Sequence, residues 1–398
     1  MDKEKGVTRI LLVLSKPPVP EIDGGCVAIA ASVRMWVKSG FQLNVVCFHT
    51  PKHPITSETH DFFAQLGIPL ETVFIDTRPG LRHLWYAWKR KLPFRAARFY
   101  VPSVGKRLRE LCKENAITGI VWEGLYAAVY EPEVSGLVLQ GLRSHNVEHA
   151  IWQNNPVRSV RDLIIRLDND RLRRWEVRIW SVMHKIWAIS LEDCNAISDS
   201  VPNVKVEFLP IPFEVNATPH QFSTNGISLY HLGAMDWLPN RKGMEEFLKQ
   251  VWPEIHCELP EAILHLGGKA FPGEWENGSM PGVVFHGQVH QAVSEWISDK
   301  DLLVVPIALA GGVRVKILEA AAAGIPIMAT SEALSGLTPE LKRFCIEIER
   351  KEQWLPALHK WINYREKWDA YSLELKRTVS ASYAYEKQIN KLSFEVGQ

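Results

Sequence analysis

The sequence lacks a charge imbalance. Its 398 residues carry 46 Lys and Arg against 45 Asp and Glu, a formal net charge of +1, so no global field draws the chain to nucleic acid. It also lacks paired cysteines. Cys26, Cys47, Cys112, Cys194, Cys257 and Cys345 are scattered with no C-x-x-C spacing, which argues against a zinc ribbon or a disulfide framework and suits reduced thiols. No uncharged apolar run approaches the roughly 20 residues of a membrane-spanning helix. Ile10 to Leu14 is too short for a secretory core and is stopped by Lys16-Pro17-Pro18, so a cytoplasmic protein is expected. Short-period repeats and low-complexity segments are absent as well.

What is present is ample core material. A hydrophobic content of 46% over this length argues for two domains. Arg9 to Ser15 reads as a buried strand, followed by a Pro-rich loop, the pair Gly24-Gly25, an amphipathic helix over Cys26 to Ser39, and a strand over Gln42 to Phe48. That is a βαβ unit with a glycine turn at the helix start. Further strands are expected at Thr72–Ile75, Ile120–Trp122, Gly136–Gln140, Lys185–Ser190 and Val204–Leu209, with a long polar helix over Val160–Met183. Pro210-Ile211-Pro212 and the polar run to Asn225 read as a linker. The alternation then restarts with strands at Ile227–Leu232, Ala262–Leu266, Val283–His286, Leu302–Val305 and Ile325–Ala329. The expected fold class is α/β, with two Rossmann-like, doubly wound parallel-sheet domains facing a central cleft. Residues 1–215 are expected to form the first domain, 226–380 the second, and 381–398 a C-terminal helix packing back on the first. Ligands of such sheets lie at the carboxyl ends of the strands.

The stretch from Gly311 to Ile327 is the most telling. A strand feeds two glycines, then a helix rich in Ala, Ile and Leu with Arg314 and Lys316 in its first turn, closed at Gly324. Cations in a first turn are disfavoured by the helix dipole, so their presence calls for an anion there. Backbone N–H groups of Gly312 and Val313 and the two cations suit a diphosphate. Glu319 sits about one and a half turns in, where a carboxylate could accept hydrogen bonds from a ribose diol.

The ordered set of motifs resembles the GT-B glycosyltransferases, most closely glycosyltransferase family 4, over nearly the whole chain. Its parts are Gly24-Gly25, Arg143-Ser144-His145-Asn146-Val147-Glu148, Leu232-Gly233-Ala234-Met235-Asp236-Trp237-Leu238-Pro239-Asn240, His286-Gly287-Gln288-Val289 and the Gly311–Thr330 segment. The resemblance implies a retaining, metal-independent transfer of sugar from a nucleotide-sugar co-substrate, UDP- or GDP-linked, in bacterial glycan assembly, with no other cofactor. It implies that His145 contacts the donor sugar, that Glu319 binds the ribose, and that Lys242 holds the diphosphate. Gly24 and Gly25 give close backbone approach, and Gly287, Gln288 and Val289 read the nucleobase. The first of the family's two glutamates falls on Gly311. The arginine of its basic pair lies in a loop that differs here, with Arg314 or Lys316 as substitutes and Lys269 as a weaker candidate.

The chemistry asks for such groups. As the bond from the anomeric carbon to the diphosphate breaks, charge grows on the leaving oxygens, and without a metal the protein must supply the positive field. One cation at 4 Å contributes on the order of 4 kcal/mol at an effective dielectric near 20. Competing readings are a catalytically silent GT-B scaffold, a GT-B epimerase or phosphorylase, and a zinc peptidase. The last comes from His145-Asn146-Val147-Glu148-His149, which spells H-x-x-E-H in a chain of 14 histidines.

One local absence bears on the acceptor. Thr77 to Arg109 holds no Asp or Glu and ten Lys or Arg, interleaved with Trp85, Tyr86, Trp88, Phe94, Phe99 and Tyr100. Basic plus aromatic composition suits an anionic membrane surface beside a glycan or lipid-linked acceptor, and a peripheral location at the inner face of the plasma membrane. Arg158 to Arg178, interrupted by Asp162, Asp168, Asp170 and Glu176, reads as a salt-bridged surface helix.

Overall fold

The computed structural model describes residues 9–151, 160–215, 218–223, 226–276, 280–289, 292–307 and 312–393. The chain divides into two compact units, Met1–Ile211 with Gln388–Gln398, and Pro212–Lys387.

The first unit runs β1 (Arg9–Leu14), α1 (Gly24–Lys38), β2 (Gln42–His49), α2 (Ser57–Gln65), β3 (Leu70–Phe74), α3 (Leu81–Lys89), α4 (Phe94–Ala97) and α5 (Pro102–Glu114). It continues with β4 (Gly119–Glu123), α6 (Glu131–Val134), β5 (Leu139–Ser144), α7 (Glu148–Ile151), α8 (Val160–Ser181), β6 (Lys185–Ala188), α9 (Leu191–Ser200) and β7 (Lys205–Phe208). Its seven strands lie in the order β3-β2-β1-β4-β5-β6-β7, all parallel. Every residue of β1 after Arg9 is buried, as an apolar run covered on both faces requires. Each of its leucines contributes about 1.5–3 kcal/mol on burial. The C-terminal segment ties onto this sheet. Lys185 Nζ and Trp187 Nε1 donate to Lys391 O at 2.8 and 3.0 Å, and Lys391 Nζ donates to Phe208 O at 3.0 Å.

The second unit runs β8 (Ile227–Leu232), α10 (Leu238–Gln250), α11 (Trp252–Glu258), β9 (Ala262–Gly267), α12 (Gly273–Glu276), β10 (Val283–Gly287), α13 (Val293–Trp296) and β11 (Leu302–Val305). After these come α14 (Val315–Ala323), β12 (Ile327–Thr330), α15 (Pro339–Lys342), β13 (Cys345–Ile348), α16 (Trp354–Asn363), α17 (Trp368–Tyr383) and α18 (Tyr385–Ile389). The strand order is β10-β9-β8-β11-β12-β13, again all parallel. Each unit has its own buried core. In both sheets the chain winds outward from a central strand and then crosses back. The winding reverses between β1 and β4 in one and between β8 and β11 in the other, and such switch points open a crevice at the carboxyl ends of the strands.

The strand expected at Gly136–Gln140 begins instead at Leu139, after a turn through Gly136 at φ 75°. A left-handed glycine ends the preceding helix rather than starting a strand. The helical stretch expected near the C-terminus is broken at Ala384, which is extended, and residues 394–398 lie outside the described residues. Two acids of α8, Asp168 and Glu176, face inward and do not serve a salt-bridged surface. Asp168 Oδ1 accepts from Phe94 N at 2.6 Å, and Glu176 accepts from Glu148 N and His149 N at 2.8 and 3.1 Å. They turn inward to cap α4 and α7, whose first N–H groups have no partner within their own helices.

Candidate functional site

At the β8/β11 switch point of the second unit, α14 starts at Val315 with Arg314 as its N-cap residue. Gly312 precedes it at φ 70°, a left-handed turn that favours glycine. Val313 follows half-buried, and Gly311 lies outside the described residues. The Arg314 guanidinium stacks on Trp237 at 4.9 Å, and burial brings it down to about 10. Lys316 Nζ lies 3.2 Å from His231 Nε2 and donates to Asn240 Oδ1 at 3.1 Å. His231 Nδ1 lies 2.8 Å from Val304 O. A carbonyl only accepts, so His231 carries its proton on Nδ1 and turns a lone pair toward Lys316. Burial first, and Arg314 second, push Lys316 down to about 7, while Glu319 pulls it up. The same burial and the Lys316 charge hold His231 neutral. Glu319 is half-buried on α14, and its charge also reaches Tyr230.

Sequence reasoning missed His231, Trp237 and Asn240. Trp237 and Asn240 belong to the 236–240 stretch where the loop departs from the family pattern, and here that stretch holds the two cations of α14. Lys242 stands exposed on α10. The glycine beside it has a clear structural use. A Cβ on Gly243 would lie 1.6 Å from Pro306 O, so only glycine lets α10 rest on the end of β11. Lys269 is half-buried, and its carbonyl accepts from Met235 N at 2.9 Å. Gly233 N donates to Gly267 O and Gly268 N to Gly287 O, at 2.9 and 2.8 Å. The ends of β8, β9 and β10 are thereby laced together. Gly287 sits at φ 64° at the outer end of this row, followed by exposed Gln288 and half-buried Val289.

The β1/β4 switch point of the first unit presents a second constellation. His145 follows β5, and its Nε2 lies 3.1 Å from Glu123 Oε2. Glu123 closes β4, is fully buried, and takes Ser32 Oγ–H of α1 on its other oxygen. The buried Arg143 guanidinium donates to Leu209 O and Pro210 O and lies close enough to feel the Glu123 charge. Sequence reasoning missed Glu123; the signal was a lone carboxylate ending an otherwise apolar strand. Gly24 and Gly25 open α1, but Asp23 caps it, accepting from Gly25 N and Cys26 N at 3.0 Å each. Lys16 Nζ and His53 Nε2 reach the same carboxylate at 2.6 and 2.8 Å. These partners hold Asp23 far below the usual carboxylate range against the opposing effect of burial.

The H-x-x-E-H geometry does not form. Both histidines would have to share one helix, yet α7 begins at Glu148. His145 turns to Glu123, while His149 Nδ1 lies 2.7 Å from Glu176 Oε2. Glu148 is pushed up to about 7 by burial and by Glu176. Among the described residues, the one group of metal-ligating types in reach of one another is Asp23, Cys26 and His53, within 4.8 Å. The Lys16 ammonium already occupies a cation's place on Asp23.

Residues 226–362 match the family model described as Glycosyl transferases group 1. No curated protein matches the chain. Among solved structures, it is similar to Alr3699/HepE of Anabaena in complex with UDP (13% identity, TM-score 0.64, covering 97% of this chain and 98% of that one). It is similar to sucrose-phosphate synthase of Thermosynechococcus elongatus (14% identity, TM-score 0.69, 97% of each chain). A variant of S. aureus TarM in complex with Fondaparinux, alpha-GlcNAc-glycerol and UDP is a third (8% identity, TM-score 0.67, 96% and 98%). The fold is GT-B. The family match falls on the unit that carries the Arg314–Lys316–Glu319 cluster.

Proposed function

We propose that the chain is a glycosyltransferase, moving a sugar from a nucleotide-sugar donor, UDP- or GDP-linked, to a glycan, glycolipid or lipid-linked acceptor without a metal and with retention. One observation carries the reading. Two enclosed cations, Arg314 and Lys316, and the N-terminus of α14 converge at the switch point of a domain that matches Glycosyl transferases group 1. Two cations at a helix N-terminus, whose dipole already favours negative charge, favour an anion at that point.

In this reading Gly312 and Val313 offer backbone N–H groups to the diphosphate, and Arg314 and Lys316 neutralise the charge that grows as the anomeric bond breaks. Glu319 accepts from the ribose hydroxyls, and Gly287 to Val289 border the base. Lys242 is exposed and belongs to this set only as an outer cation. In the first unit His145 is the polar contact to the transferred sugar. Glu123 fixes its ring, and the leaving phosphate takes the acceptor proton. Gly24 and Gly25 serve by close backbone approach, since Asp23 already takes the first N–H groups of α1. The complexes of HepE and TarM contain UDP, which favours UDP over GDP.

A thermal-shift panel of nucleotides and nucleotide sugars tests the reading. One nucleotide sugar should raise the melting temperature, and its release of nucleotide should persist in EDTA and fall at least about a hundredfold in Glu319→Ala, within the range for lost transition-state contacts. Absence of a shift with every nucleotide would sink the proposal, and a shift without turnover would leave the scaffold reading.

A further inference from the structure

Helix α3 carries its apolar face outward. Leu81, Leu84, Trp85 and Trp88 share one face at helical spacing and are 84%, 55%, 48% and 78% exposed, while only His83 and Ala87 are buried. Single exposed apolar side chains need no explanation, but a ridge of them does. The start of α8 extends the ridge, with Leu163, Ile164 and Leu167 exposed although the same helix buries Leu172, Trp175 and Ile179 further along.

The two helices are fastened to one another. Arg171 Nη2 of α8 donates to Ala87 O and Leu92 O at 3.0 and 2.9 Å. Leu84, Trp88, Ile164 and Leu167 line one open groove. Lys91 and Arg174 also line it, Asp168 being its one carboxylate among the described residues. Lys89 stands beside it, stacked on Trp85 at 4.4 Å. The charge of the wider 77–109 segment is largely spent elsewhere. Arg78 and Arg82 pair with Asp76, Arg107 with Glu71 and Glu114, and Arg90 and Arg109 with Glu133. The docking surface is therefore narrower than that segment and includes part of α8, which the sequence assigned to a plain surface helix.

We propose that α3 and the Leu163, Ile164 and Leu167 side chains of α8 insert shallowly into an anionic lipid bilayer, with Trp85 and Trp88 at headgroup depth and Lys89, Lys91 and Arg174 against lipid phosphates. Indole rings with one apolar body and one N–H suit that depth, and lysine and arginine beside them suit anionic headgroups. A second copy of the chain is a poorer occupant, because two-fold pairing would set these cations against themselves. No helix among the described residues is long and apolar enough to cross a membrane, so the attachment is a surface one. The inference goes beyond the donor reading, and a protein that binds no nucleotide can still show it.

Vesicle co-sedimentation of the full chain tests it. Vesicles of phosphatidylcholine with phosphatidylglycerol should pellet the protein at least about tenfold better than phosphatidylcholine alone, with the difference shrinking in high salt. The double variant Leu81→Ser/Trp88→Ser should lose at least about tenfold of that partition at an unchanged melting temperature, since both side chains are exposed. Absence of binding to either vesicle, retention of binding in the double variant, or a dimer in solution that the double variant dissolves would each overturn the proposal.

Discussion

At the scale of single residues, Lys316 is the group whose charge is most sensitive to its setting. Burial and Arg314 bring it down to about 7, well below an ordinary lysine. In the free protein the folded state therefore binds fewer protons than the unfolded one between about pH 7 and the ordinary lysine value. Folding stability from this residue rises with pH across that window. A diphosphate beside Lys316 favours its charged form, so nucleotide binding takes up a proton. UDP affinity should be full below pH 7 and fall above it, by at most about tenfold per pH unit. Calorimetry in two buffers of different ionisation enthalpy measures the uptake, and Lys316→Gln should abolish it. Glu123 touches His145 at 3.1 Å, and under the proposed function it would act through that ring. Glu123→Gln should lower kcat about ten- to a hundredfold, the range for outer partners that orient a histidine. It should leave donor KM nearly unchanged and shift the pH profile of kcat. A loss confined to melting temperature would make Glu123 structural only.

At the scale of elements, two helices are held by one residue each. Gly243 lets α10 lie against Pro306 O at a distance no Cβ tolerates. Gly243→Ala must push α10 off β11 and should cost about 1–3 kcal/mol, the range for overpacking. Because Asn240 rides the same helix, the substitution should also weaken nucleotide binding, which titration against a denaturation curve separates from simple destabilisation. Glu176 caps α7 through two backbone N–H groups and holds His149. Glu176→Ala should cost about 1–3 kcal/mol through the stranded N–H donors and be read as a lower denaturant midpoint. Part of that loss is returned at Glu148, which burial and, second to it, Glu176 hold up to about 7.

At the scale of the whole molecule, each unit has its own sheet and core. Nucleotide bound at the α14 N-terminus should therefore stabilise chiefly the second unit, by about 2.7 kcal/mol at a hundredfold excess over Kd. Hydrogen exchange with and without UDP should show new protection at the ends of β8 and β10 and at α14. Protection centred on Gly24 and Gly25 instead would place the nucleotide at α1 and overturn the assignment.

The sequence by itself determined what depends on neighbours along the chain. Leu302 to Val305 and Ile227 to Leu232 fold as the strands that their apolar runs require. Gly324 closes α14 in the left-handed conformation expected of it, because a period, a cap and a turn are local properties. Short β13 was passed over, since Cys345 to Ile348 carries Glu347 in its middle and only its pairing with β12 makes it a strand. Tertiary structure alone decided which strands flank the switch points and which distant side chains meet there. Lys316 finds His231 from 85 positions away, and His145 finds Glu123 from 22. Such pairings follow from the order in which parallel strands assemble, and no local pattern encodes that order.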